Sequence, residues 1–113
     1  MSKKALATRI TFEFYDGSTC EMTLSFIALK RLASKNKKLY ERMMKVMSDG
    51  SQDEFDTLTL LYGAYRCANL DAAEVLSEDE FIELCGCDRY AVNEAVQKMT
   101  NPKNRTASAA PSN

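Results

Sequence analysis

The sequence predicts a mainly α protein, a single small domain of about five short helices with an N-terminal β-hairpin. Three observations carry that expectation. Residues 6–24 alternate apolar and polar side chains on either side of Asp16-Gly17, the period of a half-buried strand pair. From residue 25 onward the apolar positions recur at helical spacing. Helix start and stop signals then punctuate the chain: Ser-x-x-Glu capping boxes at Ser51/Glu54 and Ser77/Glu80, glycines at 50 and 86, and Pro102 past the last periodic residue. The 113 residues divide into a flexible N-terminus (1–5), the folded domain (6–100) and a C-terminal tail (101–113) without large apolar residues, expected to be disordered.

In the hairpin, Ile10, Phe12 and Phe14 share one face of the first strand, and Cys20, Met22 and Leu24 one face of the second. A two-residue Asp-Gly loop would set these two groups on opposite sides, since a one-residue slip inverts every side chain. A three-residue loop, Tyr15-Asp16-Gly17, pairs Phe14 with Ser18, Phe12 with Cys20 and Ile10 with Met22, merging the faces. A type I turn with a left-handed Gly17 in a bulge is therefore expected.

Ser25 is a suitable N-cap for a first helix whose buried stripe is Phe26, Leu29 and Leu32/Ala33. Asn36 opens a second helix carrying Leu39, Tyr40, Met43, Met44, Val46 and Met47, a stripe wider than a small core needs. Ordinary packing and an adaptable, methionine-rich partner surface both remain open for it. The third helix, about 53–68, has Phe55, Leu58, Leu61/Tyr62, Tyr65 and Ala68 on one stripe. Gly63 inside it costs up to ~1 kcal/mol relative to alanine, which implies close approach of another helix. Ser77 caps a fourth helix with Phe81, Ile82, Leu84 and Cys85 inward, and Gly86 stops it. Asp88 caps the fifth, with Val92, Ala95/Val96 and Met99 inward.

Composition narrows the function classes. There is no histidine, no phosphate-binding glycine loop and no triad-like set, so no catalytic residue, cofactor or metal is expected and the chain is not expected to be an enzyme. The acidic pairs Asp53/Glu54 and Asp79/Glu80 sit at helix starts, where capping and the helix dipole explain them. Cys85-Gly86-Cys87 supplies only half a tetrahedral zinc site. No apolar run is long enough to span a membrane and no signal-peptide core forms near the N-terminus, so a cytoplasmic, membrane-free protein is expected.

The net charge of −1 conceals an asymmetry: residues 1–47 carry +6, residues 48–100 carry −9 and residues 101–113 add +2. Lys30, Arg31, Lys35, Lys37, Lys38, Arg42 and Lys45 form the basic part. A chain so divided can self-associate or dock on a charged partner, and 30–45 is the segment that a nucleic-acid-binding or regulatory module would use. Tyr40 is the lone aromatic there, short of the stacking platforms that nucleic-acid recognition favours.

From an acidic helix start at Asp53-Glu54, through Leu60-Leu61-Tyr62-Gly63-Ala64-Tyr65 and a short hinge, to Leu76-Ser77-Glu78-Asp79-Glu80-Phe81 and a closing amphipathic helix, the chain resembles the small tail assembly chaperones of long-tailed bacteriophages and prophages. The strand pair leading into Ser25-Phe26-Ile27-Ala28-Leu29 resembles members from Gram-positive hosts, and the similarity covers about residues 6–100. Cys85-Gly86-Cys87 departs from the acidic or proline-containing turn of that family. The resemblance implies a non-enzymatic role in the host cytoplasm: coating the tape measure protein, with the tail tube protein as a possible further partner, often as a homo-oligomer. The candidate contact residues are Tyr40, Met43, Met44 and Met47, with Lys37, Lys38 and Arg42.

Overall fold

The computed structural model describes residues 8–100, so the expected N-terminal arm (1–5) and tail (101–113) lie outside the described residues. In chain order the elements are β1 (Arg9–Glu13), β2 (Thr19–Thr23), α1 (Phe26–Lys35), α2 (Lys37–Asp49), α3 (Glu54–Ala68), α4 (Glu78–Cys85) and α5 (Arg89–Thr100). The mainly α fold with five helices and an N-terminal antiparallel hairpin is the one the periodicities predict.

The hairpin has the expected register, Ile10 opposite Met22 and Phe12 opposite Cys20. Its three-residue loop closes through Gly17 N–H donating to the Phe14 carbonyl at 2.9 Å and Phe14 N–H donating to the Ser18 carbonyl at 2.7 Å. Gly17 has φ 91°, where a side chain would be strained. Asp16 accepts from both the N–H and the hydroxyl of Ser18, which lowers its pKa. The merged apolar face, Phe12, Phe14 and Met22, is buried.

The centre of the fold is α3. Residues 59–65 and Cys67 are all buried, so the helix is covered on every side rather than along one stripe. It packs against β2, α1, α2, α4 and α5. Gly63 marks the closest approach: a Cβ there would collide with the Sδ, Cε and Cγ atoms of Met43, so α2 lays this side chain directly on the α3 backbone.

Caps set most helix starts. The side chains of Ser25, Asn36, Ser77 and Asp88 accept the first-turn N–H groups of α1, α2, α4 and α5, and Ser77/Glu80 form the reciprocal capping box. At α3 the expected cap moves. Asp53, not Ser51, accepts from Asp56 N–H, while the Asp56 carboxylate accepts from Gln52 N–H. Ser51 instead accepts from the Thr57 hydroxyl. An acidic side chain immediately before the helix competes better for its N-terminal N–H groups than a serine two residues upstream.

Two expected core residues are exposed. Phe26 is 92% exposed, because α1 turns its Ala28/Leu32 line inward and, at ~100° per residue, Phe26 lies about 160° from Ala28. Phe55 is 61% exposed because it sits in the first turn of α3, ahead of the buried segment.

Phe81 is fully buried and in ring contact with Phe14, Tyr62 and Tyr65. Phe81→Ala is expected to cost about 3–5 kcal/mol in denaturant unfolding, a large share of the stability of a domain this size. Phe55→Ala should change it by less than ~0.5 kcal/mol.

Candidate partner-binding surface

The seven candidate residues all lie on α2, and the turn of that helix divides them. Leu39, Met43 and Val46 form its buried line. Met43 is completely buried against Gly63, so it is a core residue and leaves the candidate surface. Tyr40 and Met44 are half-buried and Met47 is 40% exposed. At i, i+4 and i+7 these three run as one strip along the flank of the buried line, with Lys37 at its outer margin. Lys38 and Arg42 emerge on the opposite flank.

Arg42 is occupied. Its guanidinium donates to both carboxylate oxygens of Glu78 at 2.9 Å and to the Thr59 hydroxyl at 3.1 Å, tying α2 to the first turn of α4 and to α3. Most of the other basic residues are engaged as well. Arg31 and Lys35 pair with Asp71, Lys37 with Glu41 and Lys45 with Asp49. Among the described residues, only Lys30 and Lys38 of the seven basic side chains in 30–45 lack an ion-pair partner. The basic and acidic parts of the sequence therefore meet inside one chain, at Arg31/Lys35–Asp71 and Arg42–Glu78.

Sequence reasoning missed two further features. Phe26 and Ile27 (65% exposed) form an apolar knob on the first turn of α1; their angular distance from Ala28 and Leu32 was the available signal. A groove of about 280 Å³ lies between α3, α4 and α5, lined by Phe55, Leu58, Ile82, Cys85 and Val92 with the Glu54–Arg89 ion pair at its edge.

The thiols do not form a reactive set. Burial pushes Cys20 up to about 12, and Cys67 and Cys85 up to about 11, so all three stay protonated at neutral pH. Cys87 is exposed while Cys85 is buried. Among the described residues, no three side chains of metal-ligating type converge, and no helix is long and apolar enough to cross a membrane. No family model, curated protein or solved structure matches the chain.

Hydrogen bonding to Arg42 holds the Glu78 carboxyl below its ordinary 4.5, against a smaller opposing effect of burial. Asp71 and Glu54 are lowered in the same way by Arg31 and Arg89. A carboxyl depressed on folding stabilises the protein above its unfolded value, and that stability is lost as pH falls through the folded value. Glu78→Gln should therefore lower Tm at pH 7 by the equivalent of about 1 kcal/mol or less and flatten the fall in Tm below pH 4.5. Thermal melts from pH 7 downward check this; an unchanged acid limb would contradict the Arg42–Glu78 assignment.

Proposed function

We propose that the chain is a non-enzymatic tail assembly chaperone of a long-tailed phage or prophage, and that it binds the tape measure protein in the host cytoplasm while the tail tube assembles. The observation that carries this reading is the Tyr40–Met44–Met47 strip on α2, with Lys37 at its margin. Coating a long helical protein calls for weak, repeated contacts on varied apolar faces. Unbranched methionines beside a tyrosine can repack to meet them. The resemblance of residues 6–100 to the chaperone family supports the same role. Ion pairing supports a protein partner over nucleic acid, since five of the seven basic side chains in 30–45 already face a carboxylate.

Titrating the chain with a tape measure protein from the same phage or prophage tests the reading. Met44→Glu/Met47→Glu should weaken the complex at least about tenfold, as loss of central apolar contacts does. Lys30→Glu/Lys38→Glu should leave it within about twofold. A tight, steeply salt-dependent complex with DNA or RNA, together with no binding to the tape measure protein, would overturn the proposal.

A further inference from the structure

The outer edge of β1 is open. Antiparallel pairs alternate between residues that exchange hydrogen bonds with the partner strand and residues whose N–H and C=O point away from it. The Phe14–Ser18 bond fixes the phase: Phe12 and Ile10 bond to β2, while Arg9, Thr11 and Glu13 turn their backbone groups outward. At one end the edge is closed, where Tyr15 N–H donates to the Leu84 carbonyl at 2.8 Å. Along β1, among the described residues, no hydrogen bond reaches the outward groups of Thr11 and Glu13. Beside this edge α5 packs against β1, and a groove of about 540 Å³ separates Thr11 and Glu13 from Ala91 and Glu94 of that helix. Unpaired edges of this kind template the addition of a further strand.

We infer that this edge pairs with β1 of a second copy of the chain, antiparallel and with the twofold axis at Thr11. The side chains select that occupant. In this register Thr11 meets Thr11, Arg9 of each copy lies opposite Glu13 of the other, and Ile10 lies opposite Phe12 on the inner face. Arg9, Thr11 and Glu13 are exposed on one face of the strand, so the opposite charges become direct cross-strand neighbours twice. Registers with the axis at Arg9 or at Glu13 instead bring like charges together. Within the chain, the Arg9 guanidinium makes one hydrogen bond at the limiting distance of 3.5 Å, to the Ala68 carbonyl, and its remaining donors can meet a carboxylate. The Thr11 hydroxyl is already held by Glu21 at 2.7 Å. The result is a four-stranded antiparallel sheet across the two copies. It uses none of the α2 residues assigned to the tape measure protein and is independent of that assignment.

Sedimentation equilibrium of the full chain alone, up to about 1 mM, tests the pairing. The average mass should rise from 12.7 kDa towards twice that value. Arg9→Glu and Glu13→Arg should each weaken association at least about tenfold, since both symmetric attractions become repulsions. Both positions are exposed, and unchanged helical circular dichroism would confirm that the variants fold. An equimolar mixture of the two variants should recover association, because a mixed pair sets two glutamates against two arginines. A wild-type chain that stays monomeric throughout, single variants that associate like wild type, or a mixture that fails to recover would each overturn the inference.

Discussion

Phe81 of α4 joins the N-terminal hairpin to the central helix α3. Its ring lies 5.5 Å from Phe14 of the hairpin, 5.4 Å from Tyr62 and 5.3 Å from Tyr65, centroid to centroid. The two tyrosines carry the constraint further, because their hydroxyls grip the backbone of a single residue. Tyr62 donates to the Leu76 carbonyl and Leu76 N–H donates to Tyr65, each at 2.8 Å. Arg66 in turn donates to the Tyr62 hydroxyl. That clamp fixes the approach to Ser77, whose cap starts α4 and returns Phe81 to the cluster. A buried aromatic group whose polar tips are all satisfied gives both burial energy and a unique geometry.

With the middle fixed this way, the charges fall into place around it. In sequence they form a basic half followed by an acidic half, which looks like a device for attracting a partner. In space, Asp71 sits on the α3–α4 connection and Glu78 on the first turn of α4, within reach of Arg31, Lys35 and Arg42 on α1 and α2. Much of the asymmetry is therefore neutralised locally. What α2 leaves towards solvent is an apolar strip on one flank and, on the other, a single lysine without an ion-pair partner among the described residues, Lys38.

Local patterning made the element types and the hairpin register legible. A period of two cannot be mistaken for 3.6 over a whole strand, and only a three-residue loop merged the two apolar sets. The caps at Ser25, Asn36, Ser77 and Asp88 were legible for the same reason, being chemistry within one turn. Helix orientation was not: Phe26 lies across α1 from the Ala28/Leu32 line that packs, and Phe55 sits one turn ahead of the buried part of α3. Met43 was assigned to a partner because the α2 stripe is broad, yet Gly63, which did announce a close approach, was the signal that α2 supplies its own partner in α3. The Tyr62/Tyr65 clamp joins residues 11 and 14 apart through backbone groups, which no side-chain periodicity encodes.

In the proposed function, α2 meets the tape measure protein through the flank bearing Tyr40, Met44 and Met47, while Met43 and Arg42 are committed to the fold. Hydrogen–deuterium exchange of the chain, free and bound to that protein, measures this directly. Added protection centred on α2 is expected, and it should disappear in Met44→Glu/Met47→Glu while the exchange of α3 stays unchanged. Protection confined to other elements, or none on α2 in a saturated complex, would contradict it.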